Sequence, residues 1–238
     1  MKKLSVVIPA YNEAQRIQKT LLSVNEFLKR QLYDSEIIVV SDGSTDNTAQ
    51  VITKLQSKIA NLVFLENRQN HGKGWVVKQG MLTASGEIRV FMDADNSTKI
   101  EEITKFLPEF AKGFEVIIGS RRVLGSVIAQ HQGFWRDFLG GVFRLIVHTL
   151  VPVGVTDSQC GFKAFTAQAT QVIFGKQTIF RWAFDVEILA LARKFKFKIK
   201  ELPITWMNDN ESHVKFGGMV KMLVEIVQIR INLWLGKY

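Results

Sequence analysis

Two rhythms of apolar and polar positions alternate along the first half of the chain. Residues 4–8 form a short β-branched run of strand length, and residues 13–29 then set Ile17, Leu21, Val24 and Leu28 at helical spacing. The same alternation predicts strands over 37–40, 62–65, 87–90 and 116–118. It predicts helices ending near Leu55 and Thr83, and one from about Ile100 to Ala111. Repeated strand–helix units of this length imply an α/β fold with a mostly parallel sheet and helices on both faces. In such sheets ligands collect at the carboxyl ends of the strands. Five polar, turn-rich stretches fall there, at 9–13, 41–46, 70–74, 93–96 and 119–121, and one shared site explains them better than chance.

Two later segments break the pattern, because each is apolar around most of its helical circumference. Residues 133–150 leave a narrow polar stripe of Asp137, Arg144 and His148, and residues 219–235 one of Lys221, Glu225, Gln228 and Asn232. A helix of this kind is buried in protein or lies in lipid. Packing on the sheet and a homodimer interface would both give the same pattern.

Composition narrows the field. With 238 residues, 47% of them apolar, the chain buries a full core as a single domain. The expected division is a first half over 1–120, a second over 121–210 and a C-terminal amphipathic helix over 211–238. Pro9 and Asn12-Glu13 interrupt the basic, apolar start too early for a signal peptide, so it reads as a first core strand. No uncharged apolar run reaches the roughly 18–20 residues of a membrane span. The single cysteine, Cys160, excludes a disulfide framework and a Cys-rich zinc site, which suits the cytoplasm. The formal charge of +9 is uneven: residues 1–100 carry 13 Lys/Arg against 10 Asp/Glu, and residues 193–238 carry 9 against 4. That excess points to an anionic partner, and beside the two apolar helices it favours docking on a membrane surface.

The candidate chemistry begins with Asp93 and Asp95. Two apart at the end of a strand, they point to one side, where a pair of carboxylates can hold Mg2+ or Mn2+ together with nucleotide phosphates. Pro9 and Tyr11 suit a base pocket and Asp42 a base or ribose donor. Gly72 and Gly74 suit close backbone approach, and Lys73 suits a phosphate. Asp46 or Thr45 reads as a helix cap. Cys160 reads as a buried small residue, and His71, His131, His148 and His213 lack metal-ligand spacing.

Residues 5–13, 40–46 and 93–95, in this order, resemble the inverting GT-A glycosyltransferases of family 2. With 70–74, 119–121, 157–163 and 181–187 the chain resembles the dolichyl-phosphate sugar synthases, and among them the dolichyl-phosphate β-glucosyltransferases. The resemblance implies transfer of a hexose from a nucleotide-sugar donor, UDP-glucose first and GDP-mannose second, to a polyprenyl-phosphate lipid acceptor. It also implies a protein peripheral to the cytoplasmic face of a membrane. Pro9, Ala10, Tyr11, Glu13, Asp42, Lys73, Asp93 and Ala94 would then bind the nucleotide sugar, with Asp93 and Asp95 at the metal. Asp95, Arg121 and Asp185 would serve catalysis, and Arg121, Arg136, Lys163 and Arg181 the acceptor phosphate. Two features depart from the family: the N-terminal anchor of the eukaryotic glucosyl enzymes is not seen, and Ser41 stands where many relatives have a second acidic residue.

A phosphate acceptor, with a second pKa of about 6, is already largely dianionic at neutral pH and needs no general base. A glycan hydroxyl acceptor would need one, from Asp185 or Glu187, for which an ion pair with Arg181 is the structural alternative. A nucleic-acid-binding domain is the reading from another class. The basic residues do not interleave with aromatics as such a domain requires, so no nucleic-acid partner is expected. A binding module that keeps the pocket without catalysis is the third.

Overall fold

The computed structural model describes residues 2–128, 141, 145–147, 149–207 and 216–238. Its centre is a seven-stranded sheet of order β3-β2-β1-β4-β7-β5-β8. The strands are β1 (Leu4–Ala10), β2 (Ser35–Asp42), β3 (Leu62–Asn67), β4 (Ile88–Phe91), β5 (Val116–Ser120), β7 (Lys163–Thr166) and β8 (Ile199–Pro203). A two-stranded ladder joins β6 (Val127–Ile128) to β9 (Thr205–Trp206). The helices are α1 (Ile17–Lys29), α2 (Thr48–Gln56), α3 (Lys73–Thr83), α4 (Ile103–Ala111), α5 (Ala167–Lys176), α6 (Phe184–Lys194) and α7 (Phe216–Trp234).

The period-two pattern of the strands explains the layering. In β1 and β2, Leu4, Val6, Ile8, Ile37 and Val39 pack to one face, against Ile17, Leu21, Val24 and Leu28 of α1 and Ile103 and Phe106 of α4. Their neighbours Val7, Ile38 and Val40 point to the other face, toward α3, α5, α6 and α7. On that face α3 lies so close that a side chain on Gly80 would strike Val7.

The expected strands and helices of the first 120 residues are present, with boundaries shifted by one to four residues. Helix α1 begins at Ile17, not at residue 13. Asn12 takes a left-handed backbone (φ 56°) and the Glu13 carboxylate binds Arg16, so residues 13–16 turn before the helix starts. The sequence pattern did not reveal β7. It runs antiparallel between β4 and β5, pairing Phe91 with Lys163 on one side and Ile118 with Lys163 on the other. The N-terminus of β7 therefore meets the carboxyl ends of β4 and β5.

Among the described residues no helix is long and apolar enough to cross a membrane. Much of the apolar segment 133–150, with Asp137, Arg144 and His148, lies outside the described residues; of its described part, Val147 is buried and Leu145 is exposed. Helix α7 is two-sided in an unexpected way. Met222, Ile226, Ile229 and Asn232 face the core, whereas Val220, Val224, Val227, Ile231 and Trp234 form an exposed apolar stripe. Glu225 and Asn232, two members of the anticipated polar stripe, turn inward to specific partners instead of toward water.

Candidate active site

The five polar stretches do meet at one edge. The 10–14 and 42–48 loops are sewn together: Asn12 Oδ1 accepts from the Thr45 amide (2.8 Å), the Ser44 hydroxyl accepts from the Asn12 amide (3.1 Å), and Thr48 Oγ1 accepts from the Glu13 amide (2.8 Å). Asp46 accepts from the Ala14 and Thr48 amides and so joins the two loops, but the N-cap of α2 is Asn47 and not the expected Asp46 or Thr45. Pro9 and Ala10 are buried at the end of β1, and Tyr11 beyond them is 42% exposed, with a ring face available to a planar ligand. Asp42 is buried, and its two oxygens accept from the amides of His71 and Gly72 at 2.8 Å each. It therefore shapes the turn in which Gly72 (φ 104°) starts α3 and aims Lys73 inward.

Lys73 Nζ lies 2.5 Å from Asp93 Oδ1. Burial disfavours its charge, but Asp93, Asp185 and Asp95 outweigh that and hold its pKa above the ordinary lysine value. Asp95 accepts from the Ser97 amide at 2.8 Å, and burial followed by the charge of Asp93 raises its carboxyl above the usual range. Next to it Asn96, at φ 56°, holds a buried Oδ1 with no hydrogen-bond donor. Ala94 is fixed from α1, its carbonyl accepting from Thr20 Oγ1 at 2.6 Å.

These features fit a divalent cation. A half-buried carboxylate close to a second one, and an orphaned buried oxygen, both favour a positive ligand. Among the described residues no three His, Cys, Asp or Glu side chains form a cage of their own. Two carboxylates supplemented by substrate phosphates is the pattern that suits magnesium.

Across the edge, Arg121 grips Asp157 through both Nε (2.7 Å) and Nη2 (2.8 Å) and lies over the Trp206 ring at 5.3 Å. Burial opposes the guanidinium charge, yet Asp157 raises its pKa; in return Arg121 holds the buried Asp157 carboxyl below its usual range. Glu201 supports the pair from behind by accepting from the amides of Thr156 and Asp157.

Residues 5–169 match the family described as Glycosyl transferase family 2. The chain belongs to this family. It is 36% identical over 258 residues to the dolichyl-phosphate beta-glucosyltransferase of Saccharomyces cerevisiae, covering 99% of this chain and 76% of that one. It is 32% identical over 254 residues to the Homo sapiens enzyme of the same name, covering 100% and 78%. Among solved structures, mannosyl-3-phosphoglycerate synthase from Rubrobacter xylanophilus superposes with a TM-score of 0.73 at 16% identity, covering 100% of this chain and 76% of that one. The UDP complex of glucosyl-3-phosphoglycerate synthase from Mycobacterium tuberculosis superposes at 0.70 and 17%, covering 97% and 79%. These two share the GT-A fold with the chain.

Within this glycosyltransferase, two expected contacts change partners. Lys163 is fully buried, and its ammonium is bound by Asp185 and by the Cys160 carbonyl (2.6 Å), so it is enclosed away from any acceptor phosphate. Asp185 accordingly pairs with Lys163 and not with Arg181. Burial raises its pKa even though Lys163 and Lys73 pull it down. Arg181 is exposed and faces the field of Glu225, while its carbonyl accepts from the Gly74 amide (3.2 Å). Glu187 is fully buried and accepts from Thr178, Ile179 and Tyr238, so it is a structural pin with no access to a substrate. Cys160 is buried, and its thiol is pushed up to about 12 by burial, an inert state. Arg136, His131 and His213 lie outside the described residues. Sequence reasoning assigned no role to Asp157, Trp206 or Glu201. For Asp157 the available signal was an acidic residue opening a polar stretch, with Arg121 in need of a counter-ion; nothing marked Trp206.

Proposed function

We propose that this glycosyltransferase moves a glucosyl group, with inversion, from UDP-glucose to a dolichyl or other polyprenyl phosphate, with Mg2+ or Mn2+, on a membrane surface. The observation that carries the reading is the pairing of Asp185 with the buried Lys163. The carboxylate best placed to serve as a base is neutralised from within, so the acceptor must bring its own negative charge, as a phosphate dianion does.

In this reading Tyr11 and Asp42, with Pro9, Ala10 and Glu13, receive the nucleoside, and Lys73, Asp93 and Ala94 line the diphosphate and sugar. Asp95, with Asp93, holds the metal, which when bound stabilises the negative charge of the departing diphosphate. Arg121 meets the acceptor phosphate. Its fork is oriented by Asp157 and its face by Trp206, so it is ordered before the acceptor arrives. Arg181, exposed at the same edge, is the second cation. Lys163 contributes by fixing Asp185 and not by touching the acceptor.

The names of the relatives support dolichyl phosphate as acceptor. Glucosyl-3-phosphoglycerate synthase from Mycobacterium tuberculosis has been solved with Mn2+ and UDP-glucose, which supports donor and metal. The exposed stripe of α7, flanked by the exposed Lys221, Arg230 and Lys237, suits an anionic lipid surface. The one free, buried thiol suits the cytoplasmic side.

The test is transfer of labelled hexose from UDP-glucose, and in parallel GDP-mannose, to a short polyprenyl phosphate in detergent with Mg2+, Mn2+ or EDTA. A metal-dependent, acid-labile lipid product from UDP-glucose is expected. A lipid product from GDP-mannose alone would replace the donor. Donor hydrolysis without lipid product would overturn the acceptor.

A further inference from the structure

The segment between α5 and α6, residues 177–183, covers the start of α3 and is bonded to it along its length. The Gly74 amide donates to Arg181 O (3.2 Å), the Trp75 amide to Phe180 O (3.1 Å), and Gln177 Nε2 to Gly74 O (2.9 Å). A side chain on Gly72 would strike the Phe180 carbonyl and one on Gly74 the Ile179 carbonyl, so the two backbones are in direct contact. The Trp182 ring lies 5.9 Å from Lys73 Nζ. Wherever this segment sits, the start of α3 and Lys73 must follow.

The segment is held from behind. Glu187 accepts from the Thr178 amide (3.0 Å), from Thr178 Oγ1 (2.6 Å) and from the Ile179 amide (2.8 Å). A fourth donor to the same carboxylate is the Tyr238 hydroxyl at 2.7 Å, which itself accepts from Asn232 Nδ2 of α7 at 3.3 Å. Helix α7 adds a second tie, Glu225 accepting from the Ala183 amide at 3.0 Å. The Tyr238 hydroxyl is pushed up to about 12, first by burial and then by Glu187, so it stays a donor across the working pH range.

We propose that Tyr238 is a positioning residue: through Glu187 it sets residues 178–183, and through them the location of Lys73 at the donor phosphates. The proposal rests on the reading of Lys73 as a diphosphate contact. It gives α7 a second task, since the helix that carries the exposed apolar stripe also holds, through Asn232 and Glu225, the segment lying over the donor site.

The test compares Tyr238→Phe, which deletes the hydroxyl and keeps the ring, with Lys194→Met, which removes a cation 5.9 Å from that ring and leaves the hydroxyl bond intact. Hydrogen exchange by mass spectrometry and UDP binding in Mn2+ by calorimetry are measured on the full chain, well below the melting temperature. For Tyr238→Phe, exchange over 72–75 and 178–183 should rise about three- to tenfold and the UDP dissociation constant by a similar factor, with Lys194→Met near wild type. Faster exchange confined to 232–238 with unchanged UDP affinity would overturn the proposal, as would equal effects of the two variants. If the wild type fails to bind UDP, the donor reading falls while the exchange at 72–75 still decides the coupling. Should Tyr238→Phe fail to fold, Thr178→Val removes another donor to the same carboxylate and serves the same comparison.

Discussion

Replacing Lys163 by Met leaves the packing of a long side chain but strips the buried Asp185 carboxylate of its direct partner, leaving only the more distant charge of Lys73 to oppose that of Asp93. Breaking a buried pair from one side costs about 3–5 kcal/mol, because the remaining charge is uncompensated. The cost depends on pH in a direction that can be worked out. Burial already raises the folded pKa of Asp185 above its unfolded value, and losing Lys163 raises it further. A carboxyl whose folded pKa is raised binds its proton more tightly in the folded state. Stability is therefore fully present below the unfolded value and falls as pH climbs through the folded one, by up to about 1.4 kcal/mol per pH unit. Urea unfolding followed by tryptophan fluorescence should show Lys163→Met losing about 3–5 kcal/mol at pH 8 but only about 1–2 kcal/mol at pH 5. The double variant Lys163→Met/Asp185→Leu should recover most of the loss at pH 8, since no charge is left to bury. A loss that is flat with pH, or larger at pH 5, would refute the reasoning, and so would a double variant no better than the single one.

Gly161→Ala would drive a methyl group into the Asp93 carboxylate; transfer should fall about 100-fold with little change in melting temperature, and activity within threefold of wild type would contradict the site geometry. Arg121→Lys forfeits the two-point grip on Asp157 and the stack on Trp206, so KM for polyprenyl phosphate should rise about tenfold while UDP affinity in calorimetry stays put. Glu36 is buried, yet Lys2, Ser5 and Ser85 overcome the burial and hold its carboxyl at about 2. Its stabilisation is present above the unfolded value of about 4.3 and is lost as pH falls toward 2, so Glu36→Gln should be about 2–3 kcal/mol less stable at pH 7 and equal to wild type near pH 2 in denaturant titrations.

Residues 1–120 were readable because each element there repeats one rule: a strand with alternating faces, a turn, then a helix with one apolar stripe. Residues 163–203 were not, and the reasons are physical. Strand β7 is Lys-Ala-Phe-Thr, which opens on a charge and has no β-branched apolar run to mark it, and its reversed direction is decided by pairing partners far away in the chain. Helix α6 is buried from Phe184 to Ala192, so it has no polar face to mark its period, and its acidic pair looked catalytic. The sequence could not assign the ion pairs of the candidate site. Arg181 is four residues from Asp185 and Lys163 is 22 away, yet the nearer cation faces solvent and the farther one lies in the core beside the carboxylate. Asp157 and Arg121 are separated by 36 residues and meet only because β5 and β7 are neighbours in the sheet.

The reversed strand has a consequence for how such an enzyme can change. Since β5 runs toward the ligand edge and β7 runs away from it, the intervening residues 121–162 leave the sheet and return to it at the same edge. Both roots of this excursion are clamped, one by the grip of Asp157 on Arg121 and the other by Lys163 within the sheet. Between those roots Val151, Val153 and Val155 are buried in the core and β6 pairs with β9, so a change to this excursion leaves the sheet undisturbed only where those contacts are kept. On the proposed reading, a new acceptor preference would be sought between these two fixed posts, with strands β1 to β4 left untouched.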